Sequence, residues 1–65
     1  MSPTTLRQHL DRLSLSQNGL ARILAIDPRI VRRWATGDQE ISERVERFIT
    51  ELQPDVAFRM LREAS

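Results

Sequence analysis

Residues 16–37 read SQNGLARILAIDPRIVRRWATG, and this stretch decides the fold. Ser16 is a good N-cap, so a helix is expected to begin at Gln17 and run to about Ala25, with Leu20, Ala21 and Leu24 as its buried stripe. The chain must then turn around Ala25-Ile26. Asp27 can cap orphan N–H groups, and Pro28 at a first helical position sacrifices no hydrogen bond. A second helix is therefore expected from Pro28 to Thr36, closed by Gly37, which suits a left-handed residue just past a helix end. Within it Val31, Trp34 and Ala35 follow i, i+3, i+4 and face a core. Pro28, Arg29, Arg32, Arg33 and Thr36 form the outward stripe, with Arg29 and Arg33 one above the other.

Outward from this pair the pattern stays helical, and no stretch alternates with period two. Leu6, Leu10 and Leu13 predict a first helix over about 3–13, interrupted at 14–16. After the polar connector Asp38-Gln39-Glu40, a fourth helix is expected over about 42–52, burying Ile41, Val45, Phe48, Ile49 and Leu52. Pro54 ends it and opens a fifth, carrying Val56, Ala57, Met60 and Leu61. The expectation is an all-α, compact five-helix bundle in one domain, 1–65, whose helix-turn-helix core is 17–36. Two short helices joined by so tight a turn cannot pack antiparallel. That is helix-turn-helix geometry, in which the second helix enters the major groove of DNA.

The chain has 65 residues, a length that buries only ~60% of its unfolded surface. Small domains often need a disulfide, a metal or a partner. Cysteine is absent and His9 is the one histidine, which excludes a disulfide or zinc staple; no cofactor is expected. The formal net charge is +1, but its distribution is uneven. Residues 1–37 hold six arginines against Asp11 and Asp27, a balance of +4, whereas residues 38–65 carry −3. One face is thus suited to a polyanion and another turned away from it. No apolar run approaches the ~18–20 residues that span a bilayer, and the N-terminus lacks a basic segment followed by an apolar one. A cytoplasmic protein without a membrane partner is expected.

From Leu13 to Ser42 the chain resembles the Cro/repressor (Xre-type, lambda-repressor-like) helix-turn-helix domain of lambdoid phage repressors and many bacterial regulators. The residues carrying the resemblance are Ser16-Gln17, Ala21, Asp27-Pro28, Val31, Trp34 and Gly37. It covers about half the chain closely, and the five-helix plan extends it to nearly all. The resemblance implies sequence-specific binding of double-stranded DNA by a transcriptional regulator, with repression the favoured role and activation left open. It implies base contacts from Pro28, Arg29 and Arg33, with Arg32 reaching a base or a phosphate. Phosphate contacts are implied for Gln17, helped by Ser16 or Asn18, for Thr36, and more weakly for Arg44. Three features depart from the family pattern. Ala25 stands where a glycine is usual, so either the turn is distorted or a left-handed alanine is tolerated at ~1–2 kcal/mol. Pro28 could touch only a thymine methyl, and the 38–40 connector is acidic where relatives are often basic.

Each residue also has a plainer reading. A charge run on a helix is commonly a solvated face, but this one has no acid within its helix except Asp27 and coincides with the motif's reading surface. Gln17 serves equally well as a surface residue. Trp34 reads as core, Gly37 as a backbone cap, and His9 as a solvent-facing helix residue. Glu43, Glu46 and Glu51 read as a solvated face, with Glu43 paired to Arg47. Catalysis is not expected: no cysteine nucleophile, Gly-rich phosphate loop or serine–histidine–acid set exists, and so short a chain offers little pocket for a small-molecule substrate. A single module covers a small interface, so a homodimer through the C-terminal helices is expected, with Phe58 at its surface. The alternative is a protein–protein interaction module, or an antitoxin-like partner, that uses the fourth and fifth helices on the same fold.

Overall fold

In the computed structural model, which describes residues 1–64, five helices follow one another: α1 Pro3–Leu13, α2 Gln17–Leu24, α3 Pro28–Thr36, α4 Glu43–Glu51 and α5 Pro54–Glu63. Among the described residues there is no strand. Local chemistry explains the starts. Ser2, Ser16 and Ser42 each accept a backbone N–H three residues on, at Thr5, Gly19 and Val45, and Asp27 accepts that of Arg29. Those bonds satisfy donors that a helix leaves unpaired in its first turn. Proline opens α1, α3 and α5, where its missing N–H costs nothing.

The first three helices also end alike. Ser14, Ala25 and Gly37 are left-handed, with φ of 54°, 57° and 87°. The next N–H reaches back five residues in each case: Leu15 to the Leu10 carbonyl at 2.9 Å, Ile26 to Ala21 at 3.0 Å and Asp38 to Arg33 at 2.9 Å. This is the Schellman closure, which pairs carbonyls otherwise orphaned at a helix end. The alternatives left open at Ala25 resolve toward strain: the turn keeps its regular shape and the alanine adopts the left-handed conformation. Helix α4 ends differently. Leu52 and Gln53 are extended, as a chain approaching Pro54 must be, so no left-handed residue closes it. Arg12 of α1 closes it instead, donating to the carbonyls of Leu52, Ile49 and Thr50 at 2.8, 3.0 and 3.1 Å. Its Nε also donates to His9 Nδ1.

Packing follows the apolar pattern. Helices α1 and α2 each pack on α3 and α5. Leu6, Leu10, Leu13, Leu20, Ala21, Val31, Trp34, Ala35, Ile41, Ile49, Leu52 and Ala57 are buried as expected, and Val45, Phe48, Val56, Met60 and Leu61 half-buried against them. Leu24 is only half-buried; Gly19 and Leu15, which the periodicity did not mark, are buried. A Cβ at Gly19 would meet Leu15 and Leu61 at ordinary contact distances of 3.5 and 3.7 Å but would crowd the Ser16 hydroxyl at 3.2 Å, so the glycine makes room chiefly for the N-cap of α2. The radius of gyration is 10.7 Å, which matches the ~11 Å of a folded chain this long. At the N-terminus the Met1 ammonium pairs with Glu46 at 3.1 Å. The expected Glu43–Arg47 pair does not form: neither side chain has a partner among the described residues, because both are exposed, where an ion pair gains little. No described helix is long and apolar enough to cross a membrane.

Candidate nucleic-acid interface

Helix α3 divides cleanly into two faces. Val31, Trp34 and Ala35 are buried, Ile30 is half-buried, and Pro28, Arg29, Arg32, Arg33 and Thr36 are exposed. At 100° per residue, the four residues Arg29, Arg32, Arg33 and Thr36 share one third of the helix circumference, opposite the core. The inner face anchors the helix and so fixes what the outer face presents. Trp34 is 6% exposed, and its indole N–H meets no acceptor among the described residues. Such a buried donor is destabilising by about 1–3 kcal/mol; ring packing against the core has to outweigh it.

The three arginines of this face are not equivalent. Arg32 and Arg33 form no ion pair and no side-chain hydrogen bond among the described residues. Arg29 is held by Asp27. Its Nη2 lies 2.8 Å from Oδ2 and its Nε 3.2 Å from both carboxylate oxygens. The Arg29 guanidinium, together with the Arg29 backbone N–H, lowers the Asp27 pKa from 3.8 to about 2, and Asp27 in turn raises that of Arg29. Arg33 adds a weaker favourable field at Asp27.

The positions expected to meet phosphate are unevenly placed. Ser16 and Asn18 are exposed and Gln17 half-buried at the start of α2, which packs on α3. The Ser16 hydroxyl accepts the Gly19 N–H at 2.9 Å, a role that leaves its own proton able to donate. Thr36 is more committed. Its hydroxyl lies 3.1 Å from the Arg33 carbonyl and 3.1 Å from the Asp38 carboxylate, and its one proton serves one of them at a time. A carboxylate thus stands beside the hydroxyl expected to meet phosphate. Arg44 is exposed in the first turn of α4, in a shallow surface groove with Glu43 and Arg47, so its surroundings are of mixed charge.

Sequence reasoning assigned positive charge to residues 1–37 as a block, and the structure subdivides it. Arg7 donates to the Ala35 carbonyl at 2.7 Å and Arg12 closes α4; both brace the fold. No signal in the sequence near Arg7 or Arg12 points to partners 28 to 40 residues away. The Asp27–Arg29 pair did have a local signal, the Asp-Pro-Arg spacing that places a carboxylate at the N-cap beside the second helical residue. Among the described residues no group of three or more histidines, cysteines and acids is placed to hold a metal ion. Comparison with protein-family models, with curated proteins and with solved structures found no match to this chain.

Proposed function

We propose that this chain is a helix-turn-helix protein that binds duplex DNA sequence-specifically, with α3 in the major groove, and that it regulates transcription as a repressor. The observation that carries this reading is the outer face of α3: three exposed arginines, two of them outside any ion pair among the described residues, on a short helix seated on the core through its other side. Arginine forks match the O6 and N7 atoms of guanine, and the positive end of the helix dipole favours a polyanion. Gln17, Asn18 and the Ser16 hydroxyl at the start of α2 supply donors for the sugar–phosphate backbone, which orients the domain while α3 reads base edges.

Useful affinity from so small a module calls for two copies on two half-sites. Phe58, 62% exposed and the only large apolar side chain so placed among the described residues, supports an interface along α5. The Arg62 guanidinium lies over the Phe58 ring, 5.7 Å from its centroid, so a partner would meet an aromatic face edged by a cation. The same patch also favours a second reading, a module that docks a different protein through α5. Light scattering separates these, because a monomer at all concentrations removes the two-copy reading.

The DNA reading is tested by titrating the protein against random and selected duplexes across a salt series. Affinity for selected sequences is expected to exceed that for random ones and to fall steeply with salt. No binding at about 50 mM salt, even to selected sequences, would sink it.

A further inference from the structure

Asp27 does two jobs with one carboxylate. Its Oδ1 accepts the Arg29 backbone N–H at 2.9 Å, which caps α3. The same group takes the Arg29 guanidinium along its Nε–Nη2 side. A guanidinium carries five N–H donors in a fixed plane. The Nε–H and the neighbouring Nη2–H face Asp27, whereas one Nη1–H and the outer Nη2–H point away along the side-chain axis and the second Nη1–H points to the opposite flank. The parallel Nη1–H and outer Nη2–H form a second fork, and the side chain that bears it is 74% exposed.

We propose that Asp27 is a positioning residue: it grips Arg29 by one edge so that the other edge meets O6 and N7 of a guanine at the N-terminal end of α3. This rests on the DNA reading above and adds to it a residue and a base. An unanchored arginine surrenders its rotamer freedom when it docks, whereas Arg29 has already surrendered much of it on folding. The carboxylate also steers Arg29 away from phosphates, since a second negative charge beside Asp27 is repelled, while a neutral base edge is not. The pair thus trades general affinity for selectivity. Arg32 and Arg33, which form no ion pair among the described residues, keep more of their attraction for the backbone.

The test uses the whole chain and a site selected from a randomised duplex pool. Each base is then substituted in turn, for the wild type, Asp27→Asn, Arg29→Ala and the double variant. Asparagine caps a helix as well as aspartate does, so Asp27→Asn keeps the cap, loses only the ion pair and should stay folded under the binding conditions; Asp27→Ser serves if it does not. Having lost an acid, Asp27→Asn should bind unrelated duplex as tightly as the wild type or tighter. Its preference for guanine at one position should fall roughly fivefold or more, and Arg29→Ala should abolish that preference. The double variant should lose no more than Arg29→Ala, because Asp27 acts through Arg29. Full guanine preference in Asp27→Asn, or in Arg29→Ala, would overturn the proposal while leaving DNA binding intact. A wild type that binds no duplex at all would overturn the DNA reading itself, and this inference with it.

Discussion

Arg7 and Arg12 on α1 aim their guanidiniums at backbone carbonyls, whereas Arg32 and Arg33 on α3 aim theirs at solvent. All four are exposed arginines on short helices, and composition treats them alike. What separates them is the neighbourhood of each helix end. Helix α4 approaches Pro54 and closes on itself only through a 3.3 Å bond from the Leu52 N–H to the Ile49 carbonyl, so its last carbonyls need a further donor, and Arg12 lies across from them. Around α3 no such demand exists on the outer side, because Gly37 and Asp38 already serve the Arg33 carbonyl. A cation left over after every helix end is satisfied is a better candidate for a ligand contact than a cation counted from sequence.

That contrast predicts opposite phenotypes. The largest effect is expected from Arg12→Ala, which strips three carbonyls of a charged donor. It should destabilise the fold by about 2 kcal/mol, lowering the thermal midpoint by on the order of 10 °C; at temperatures where the variant stays folded, its base preference should be unchanged. Arg33→Ala should invert this pattern. Discrimination at one base pair should weaken by about 1–3 kcal/mol, while the urea midpoint stays within about 0.5 kcal/mol of wild type. If instead Arg33→Ala unfolded the domain as Arg12→Ala does, the division between bracing and reading arginines would collapse. Arg7→Ala, which frees a single carbonyl at the end of α3, should cost about 1 kcal/mol in chemical denaturation. That loss should slightly loosen α3 without altering which base is preferred.

The smallest effect concerns Arg29, which belongs to both groups. Its partner Asp27 has a folded-state pKa near 2 against an ordinary 3.8. A carboxyl whose pKa is lowered by folding stabilises the native state fully above its unfolded value, and that contribution disappears as the pH falls from about 4 through about 2. Stability of the wild type should therefore decline more steeply in that window than stability of Asp27→Asn. Urea midpoints at pH 5 and pH 2.5 for both proteins measure the difference; equal slopes would show that the pair contributes nothing to folding.

Much of the fold was legible because helix limits here are set by local punctuation. Ser16, Asp27-Pro28, Gly37 and Pro54 mark ends within a residue or so, and the leucines of α1 and the Val31–Trp34–Ala35 spacing mark inner faces. Leu15 escaped because it lies between helices, where no period applies, although the closure of α1 turns it inward. Ala25 could not be resolved from sequence, since a distorted turn and a strained one satisfy the same residues. The candidate site was legible as a stripe and not as a set of partners. Periodicity placed Arg29, Arg32 and Arg33 together, but the bonds of Arg29 to Asp27 and of Thr36 to Asp38 depend on side-chain geometry that periodicity does not encode. The clamps made by Arg7 and Arg12 depend on the tertiary arrangement as a whole.

Trp34 gives the molecule an optical property of its own. It is the only tryptophan in a chain without tyrosine, so ultraviolet emission excited near 295 nm comes from one ring, on α3, facing the core. Emission should be blue-shifted while α3 stays seated, because the indole N–H has no polar partner among the described residues and little water to relax around it. Unfolding should move it to the red. Contact made by the arginines on the opposite face of the same helix should leave its colour almost untouched. The chain thus carries a built-in chromophore that distinguishes loss of the scaffold from occupation of the surface it supports.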